Sequence, residues 1–305
     1  MTSSTGPTPT LSNGPTLSNG RTGPAGPRGC VLTLTCPDRP GIVHAVTGAV
    51  AAAQGNITEL QQFSSDSGRF FMRVQVQSGF ERSAFEESVR PLAAYLQARW
   101  HLDEVGRPRR TLVLASKAAH CLNDLLFRQR SGLLPVELTG VMANHPDLRP
   151  LATFYGVPFS EHVVLPETKA DFERAVLDRV EAEDIELVVL ARYMQVLSPD
   201  LCAALAGRAI NIHHSFLPGF KGANPYRQAH DRGVKLIGAT AHFVTQDLDE
   251  GPIIEQHVTR VDHTKDTPEL VAMGQEQESR TLAEAVRLYA EHRVFLDGNR
   301  TVIFR

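Results

Sequence analysis

Three things are scarce in this 305-residue chain. The first is cysteine: four residues, Cys30, Cys36, Cys121 and Cys202, lie scattered with no Cys-x-x-Cys spacing, which argues against a disulfide framework or a thiolate metal site and for reduced thiols in a cytoplasm. The second is an excess of either charge. Thirty-one basic residues against 34 acidic ones give a net charge of −3, so no broad basic field invites nucleic acid or an anionic membrane. The third is long apolar runs. The longest, such as "LVVLA" at 187–191, are strand-sized and far short of the roughly 18 residues a membrane helix needs. Large apolar side chains are nearly missing from residues 1–28, where "PTLSNG" occurs twice in tandem at 9–14 and 15–20. Such a segment cannot offset its own ordering entropy, and its prolines and glycines disfavour an amphipathic targeting helix, so it reads as a disordered tail.

Beyond the tail the length suits two domains. "CVLTLTC" alternates as a half-buried strand, and "PDRPG" turns into the helix "IVHAVTGAVAAAQG", with Ile42, Val43, Val46 and Val50 on one stripe and Gly55 as its stop. "NITELQQF" and "RFFMRVQVQ" read as two strands joined by "SSDSG", a helix follows over about 82–98, and "HLDEV" closes the unit. Strand, helix, strand, strand, helix, strand is the split ferredoxin-like pattern, with both helices on one face of an antiparallel sheet. A polar hinge, "EVGRPRR", then changes the rhythm. Non-alternating apolar strands ("TLVLAS", "VELTGVMA", "IELVVLA", "AINIHH") interleave with helices such as "HCLNDLLFRQR" and "KADFERAVLDRVEAE", the pattern of a buried parallel sheet whose ligands sit at the carboxyl ends of its strands. The expected fold class is therefore α/β: tail 1–28, ferredoxin-like unit 29–104, linker 105–110 and a Rossmann-like unit 111–305.

The chemistry concentrates at "NIHHSFLPGFKGANPY", 211–226. Asn211 and His213 end a strand two residues apart and so share a face. An amide can donate to a developing oxyanion and an imidazole can carry a proton near neutral pH. A carboxylate to orient the imidazole is offered by "AHFVTQDLDEGPII", where Asp249 precedes Gly251 and Pro252 in a turn-rich loop. His242 in the same stretch is expected beside His213 as a support. His213 and His214, adjacent on a strand, should point to opposite faces and make a poor pair of metal ligands, so no metal is expected.

Two resemblances sharpen this reading. "DRPG" with "NITEL" resembles the ACT domain, a small-molecule effector module. By that resemblance an amino acid, glycine or methionine, is taken by Asp38, Arg39, Pro40, Gly41 and Ile42, with Asn56 and Ile57 facing them, because a helix N-terminus presents free N–H groups to a carboxylate. The other reading is that Asp38 and Pro40 merely cap and shape the helix. The stretch 211–254 resembles the folate-dependent formyltransferase fold. That resemblance makes Asn211 the oxyanion donor, His213 the proton carrier and Asp249 the group that positions His213 and the attacking water. It also puts the folate against Tyr193, Met194, Gln195, Val196 and Leu197, with Thr245, Gln246 and Asp247 closing the other side. Met194, Val196 and Leu197 read equally as core residues. Lys117 and Lys221 are candidates for attracting the folate's glutamate tail or formate, or are simply solvated.

Within that group, glycinamide ribonucleotide formyltransferases carry a glycine-rich phosphate loop where this chain has "ASKAAHCLNDLL", with no glycine over 115–126. They also usually have proline where His214 stands, and methionyl-tRNA formyltransferases append a basic tail. An ACT unit fused to this core, with "SKAAHCL" and "NIHHSFLP", resembles the formyltetrahydrofolate deformylase family. The resemblance implies hydrolysis of 10-formyltetrahydrofolate to tetrahydrofolate and formate for purine and one-carbon metabolism, with no cofactor beyond the folate, and a cytoplasmic homo-oligomer, dimer or tetramer. His214 could narrow the acceptor pocket, order a water or simply pack. The rival readings are a formyltransferase with an unrecognised acceptor and a non-catalytic amino-acid sensor.

Overall fold

The computed structural model describes residues 29–77, 82–217 and 225–305. The expected loop position Lys221 lies outside them. Two sheets dominate. The first is built from β1 (Gly29–Pro37), β2 (Asn56–Ser64), β3 (Arg69–Gln77) and β4 (Arg99–Glu104), in the antiparallel order β2-β3-β1-β4. Helices α1 (Ile42–Ala52) and α2 (Arg82–Leu96) contribute Ile42, Val46, Val50, Phe85 and Val89 to a core shared with Leu32, Leu34, Met72 and Val74. Three local expectations are corrected. Pro40 precedes α1, whose N-cap is Gly41 at φ 92°, and no side chain caps that end, so Asp38 is not a cap. The residue that turns the chain after α1 in the left-handed region is Gln54, at φ 58°, not Gly55.

The third correction concerns the effector residues. Asn56 pairs with Gln77, which pairs with Gly29 at the start of β1, whereas Asp38 to Gly41 follow Pro37 at its other end. The eight residue steps of β1, at about 3.3 Å each, separate the two groups by roughly 26 Å within one chain. Helix α1 runs back along the sheet before β2 begins, and so Asn56 and Ile57 do not face the 38–42 loop.

The two helices cover one face of this sheet, and the other face is covered too. Phe71 and Arg73 are buried there, because the chain's last segment returns to cover them. Strands β12 (Val294–Asp297) and β13 (Arg300–Ile303) form a hairpin. Phe295 meets Phe71 edge-on at 5.9 Å and Phe304 at 5.2 Å, while Arg73 donates to Glu59 at 2.9 Å and to the Glu291 carbonyl at 3.1 Å.

The second sheet has seven strands in the order β11-β10-β9-β8-β5-β6-β7. β5 (Arg109–Ala115), β6 (Val136–Ala143), β7 (Phe159–Glu161), β8 (Leu187–Ala191) and β9 (Ala209–His213) run parallel; β10 (Leu236–Phe243) and β11 (Ile253–Arg260) pair antiparallel on one side. Strand β5 is unbroken apolar from Leu112 to Ala115 because both its faces are covered. Val113 and Ala115 look to α3 (His120–Arg130) and α8 (Thr267–Ala290); Leu112 and Leu114 look to α5 (Lys169–Ala182) and α6 (Pro199–Ala204). Two shorter helices, α4 (Arg149–Tyr155) and α7 (Pro225–Asp231), complete the unit. The chain turns from β5 toward β6 on one side and later from β8 toward β9 on the other, and the crevice between such diverging crossovers, at the strands' carboxyl ends, is where α/β sheets bind ligands.

Candidate active site

A cavity of about 270 Å³ opens at the carboxyl ends of β8 and β9, and it is lined by all three expected catalytic residues and all eight expected folate residues. The geometry follows from strand register. Because β10 runs antiparallel to β9 with His242 opposite Asn211, the two side chains meet, Asn211 Nδ2 lying 3.2 Å from His242 Nε2. His242 Nδ1 sits 2.9 Å from the Phe243 carbonyl, which only accepts, so Nδ1 carries the proton and the neutral ring leaves Nε2 to accept from Asn211.

The loop from β10 to β11 then returns Asp249. Its backbone is left-handed, φ 57°, and the loop closes through Phe243 N donating to the Pro252 carbonyl at 2.9 Å. Gly251 is required there, since a Cβ would lie 1.7 Å from the Phe243 oxygen. Thus held, Asp249 Oδ2 lies 3.1 Å from His213 Nδ1 and its Oδ1 lies 3.6 Å from His242 Nε2. Burial works to raise the Asp249 pKa, but the hydrogen bond from His213 outweighs it and holds the carboxyl well below the usual range. A carboxylate at Nδ1 fixes the proton of a neutral His213 on that nitrogen. Nε2 is left as a lone pair, buried and without a partner among the described residues, in a side chain only 7% exposed.

His214 corrects the expectation of opposite faces. The strand ends at His213 and the chain bends, so both rings line the cavity, their centroids 4.6 Å apart. Burial first, then the neighbouring charges of Arg192 and His213, push the His214 pKa down to about 4, and the ring is uncharged at neutral pH.

The folate segment divides by exposure. Tyr193 and Leu197 are buried, Tyr193 stacked on Phe172 at 5.7 Å. Met194 and Val196 are exposed by 59% and 55%, which removes the reading of them as core residues and leaves two large apolar side chains at the cavity. The Met194 amide is tied by the Ser116 hydroxyl at 3.0 Å, which fixes the segment's backbone. Lys117 is exposed and does not line the cavity.

One group of residues was not anticipated. Glu278 on α8, 1% exposed, accepts from Tyr226 at 2.6 Å and meets His120 Nε2 at 2.8 Å and Arg192 Nε at 3.3 Å. Burial opposes its ionisation, but the His120 hydrogen bond and the Arg192 charge win and lower its pKa. Tyr226 fits because Gly274 has no Cβ, which would come 2.1 Å from the phenol oxygen. These side chains occupy the space beside the "ASKAAH" loop. His120, Cys121 and Glu278 also come close enough to share a metal ion, but Glu278 is already committed to three partners, and burial raises the Cys121 thiol pKa far above its ordinary value, a donor set poorly suited to one.

Comparison with known proteins agrees with this geometry. Residues 109–286 match the formyl transferase family and residues 31–83 the ACT domain family. Formyltetrahydrofolate deformylase of Corynebacterium sp. (strain P-1) is 50% identical over 90% of this chain and 98% of its own length; that of Escherichia coli (strain K12) is 41% identical over 90% and 97%. The crystal structure of formyltetrahydrofolate deformylase from Burkholderia mallei superposes with a TM-score of 0.89 at 50% identity, covering 92% of this chain and 100% of that one. Glycinamide ribonucleotide transformylase 1 from Symbiobacterium toebii is more distant, with a TM-score of 0.61 at 33% identity over 67% of this chain.

Proposed function

The chain belongs to the formyltetrahydrofolate deformylase family, and from that premise we propose that it hydrolyses 10-formyltetrahydrofolate to tetrahydrofolate and formate. The observation that carries the reading is the buried, unpartnered Nε2 of His213, backed by Asp249 and set beside the Asn211 amide in a cavity walled by apolar side chains.

In the proposed reaction the folate lies along 193–197 and 245–247 with its formyl group between Asn211 and His213. Water attacks the formyl carbon and gives a proton to His213 Nε2. The carbonyl oxygen, now an oxyanion, accepts from Asn211 Nδ2. His213 then passes that proton to N10, the carbon–nitrogen bond breaks, and formic acid leaves and ionises. Asp249 acts through His213 and not as the direct base, because both its oxygens already face histidines. Positioned proton transfer contributes about 100-fold or more, and an oxyanion donor a similar factor. Water is taken as the acceptor because the loop over 115–126 has no glycine with which to cradle a nucleotide phosphate. The test is formate release by the purified protein with no added acceptor, run beside glycinamide ribonucleotide; formate without a formylated nucleotide supports hydrolysis, and a formylated nucleotide overturns it.

The proposal extends to the first unit, residues 29–104, as a regulatory module for glycine or methionine. The uncapped start of α1 at Gly41 supports a carboxylate site there. A homo-oligomer, dimer or tetramer, in the cytoplasm completes the reading, in keeping with four unpaired cysteines; no helix among the described residues is long and apolar enough to cross a membrane. No metal enters the proposed chemistry.

A further inference from the structure

We propose that His214 is a catalytic residue that holds the attacking water, its Nδ1 accepting one of the water's hydrogens while His213 Nε2 takes the other. The inference rests on the hydrolytic reading above and names how that reaction obtains its nucleophile.

Two buried ring nitrogens at this cavity have no partner among the described residues, His213 Nε2 and His214 Nδ1. They belong to adjacent rings that line the same cavity, their centroids 4.6 Å apart and their planes tilted by 52°. A residue that only packs would not leave a buried nitrogen unsatisfied, since desolvating it unpaired is costly. Nor does His214 compete for the proton that His213 must carry. It is half-buried, and its burial and the positive charge of nearby Arg192 oppose its protonation; a neutral imidazole with its proton on Nε2 presents a lone pair at Nδ1.

That arrangement does chemical work. A water with both hydrogens directed at nitrogen lone pairs turns its own lone pairs away from the rings and toward the formyl carbon. As the oxygen–carbon bond forms, the hydrogen on the His213 side transfers to Nε2; the other stays on the oxygen and remains bonded to His214. Arg192, which lines the same cavity, is met by Glu278 at 3.3 Å, and Tyr226 donates to that carboxylate at 2.6 Å.

The experiment measures kcat and KM for formate release from 10-formyltetrahydrofolate by the full chain with histidine, alanine, asparagine or glutamine at position 214, with circular dichroism to confirm folding. Loss of one hydrogen bond to the nucleophile lowers kcat about tenfold or more in His214→Ala, with KM unchanged. Asparagine puts its amide where Nδ1 stood and restores most of the rate; glutamine puts it at the Nε2 position and does not. The proposal is overturned if His214→Ala keeps kcat within about twofold of the unaltered protein, if only KM changes, or if asparagine is no better than glutamine. Should the alanine variant not fold, the asparagine–glutamine comparison decides alone. An unaltered protein that releases no formate counts against hydrolysis itself, whereas normal release with a silent position 214 counts against this assignment only.

Discussion

Replacing Asp249 with asparagine keeps the shape of the side chain and removes its charge. During turnover His213 becomes an imidazolium with its Nδ1 3.1 Å from Asp249 Oδ2. At an effective dielectric near 20 two unit charges at that distance attract by about 5 kcal/mol. The Asp249 side chain is 17% exposed, and an amide oxygen retains part of the interaction, so a loss of about 3–4 kcal/mol is the reasonable figure, a 100- to 1,000-fold fall in kcat. A second effect acts in the same direction. The new amide nitrogen has two histidine nitrogens within reach, and if it donates to His213 Nδ1 the ring is left with its proton on Nε2, pointing into the cavity as a donor where the reaction needs a base. The assay is formate release under substrate saturation, coupled to a formate dehydrogenase, with circular dichroism and thermal melting to show that the variant folds. Folded Asp249→Asn within about tenfold of the unaltered kcat refutes the assignment of Asp249 as the group that positions His213.

Four further outcomes are expected. Asn211→Ala and His213→Ala each lower kcat at least about 100-fold while remaining folded, and near-normal turnover in either removes that residue from the mechanism. Glycinamide ribonucleotide neither speeds loss of the formyl group nor becomes formylated, as mass spectrometry of the nucleotide pool would show. Stability falls as pH drops from about 6.5 to about 4, because burial lowers the His292 pKa from 6.5 to about 4 while Arg109 donates to its Nδ1 at 2.9 Å; in that window the unfolded chain takes up a proton that the folded chain refuses, worth up to about 3 kcal/mol. Urea unfolding at the two ends of that window should give a flatter dependence for His292→Gln, and an unchanged slope contradicts the cause given. Finally, calorimetry with the twenty common amino acids should find one that binds the intact chain and alters its turnover; if none binds, the first unit is not a sensor.

Local patterns were legible in this sequence and long-range placement was not. The bounds of α3 and β6 coincide with "HCLNDLLFRQR" and "VELTGVMA" because charged ends and a continuous apolar run mark them without help from the rest of the chain. Asn211, His213 and Asp249, which line one cavity, were picked by strand alternation and a turn motif, both short-range signals, with their roles supplied by the family resemblance. Glu278, His120 and Arg192 escaped, since nothing in "EQESR" or "SKAAHC" announces that α8 lays its glutamate against residues up to 158 positions away. The same limit applies to β3, where nothing local shows that Phe295 and Phe304 return from the end of the chain to cover Phe71. His214 was misread for a different reason: strand alternation predicts opposite faces only while the strand continues, and β9 stops at His213.

The central claim is that water, and no other acceptor, takes the formyl group. It is tested most directly by running the reaction in oxygen-18 water with 10-formyltetrahydrofolate as the only substrate and analysing the formate at early times by mass spectrometry. The account predicts tetrahydrofolate and formate in equal amounts, with one heavy oxygen in each formate. Formate without the label, or loss of the formyl group with no formate released, contradicts it.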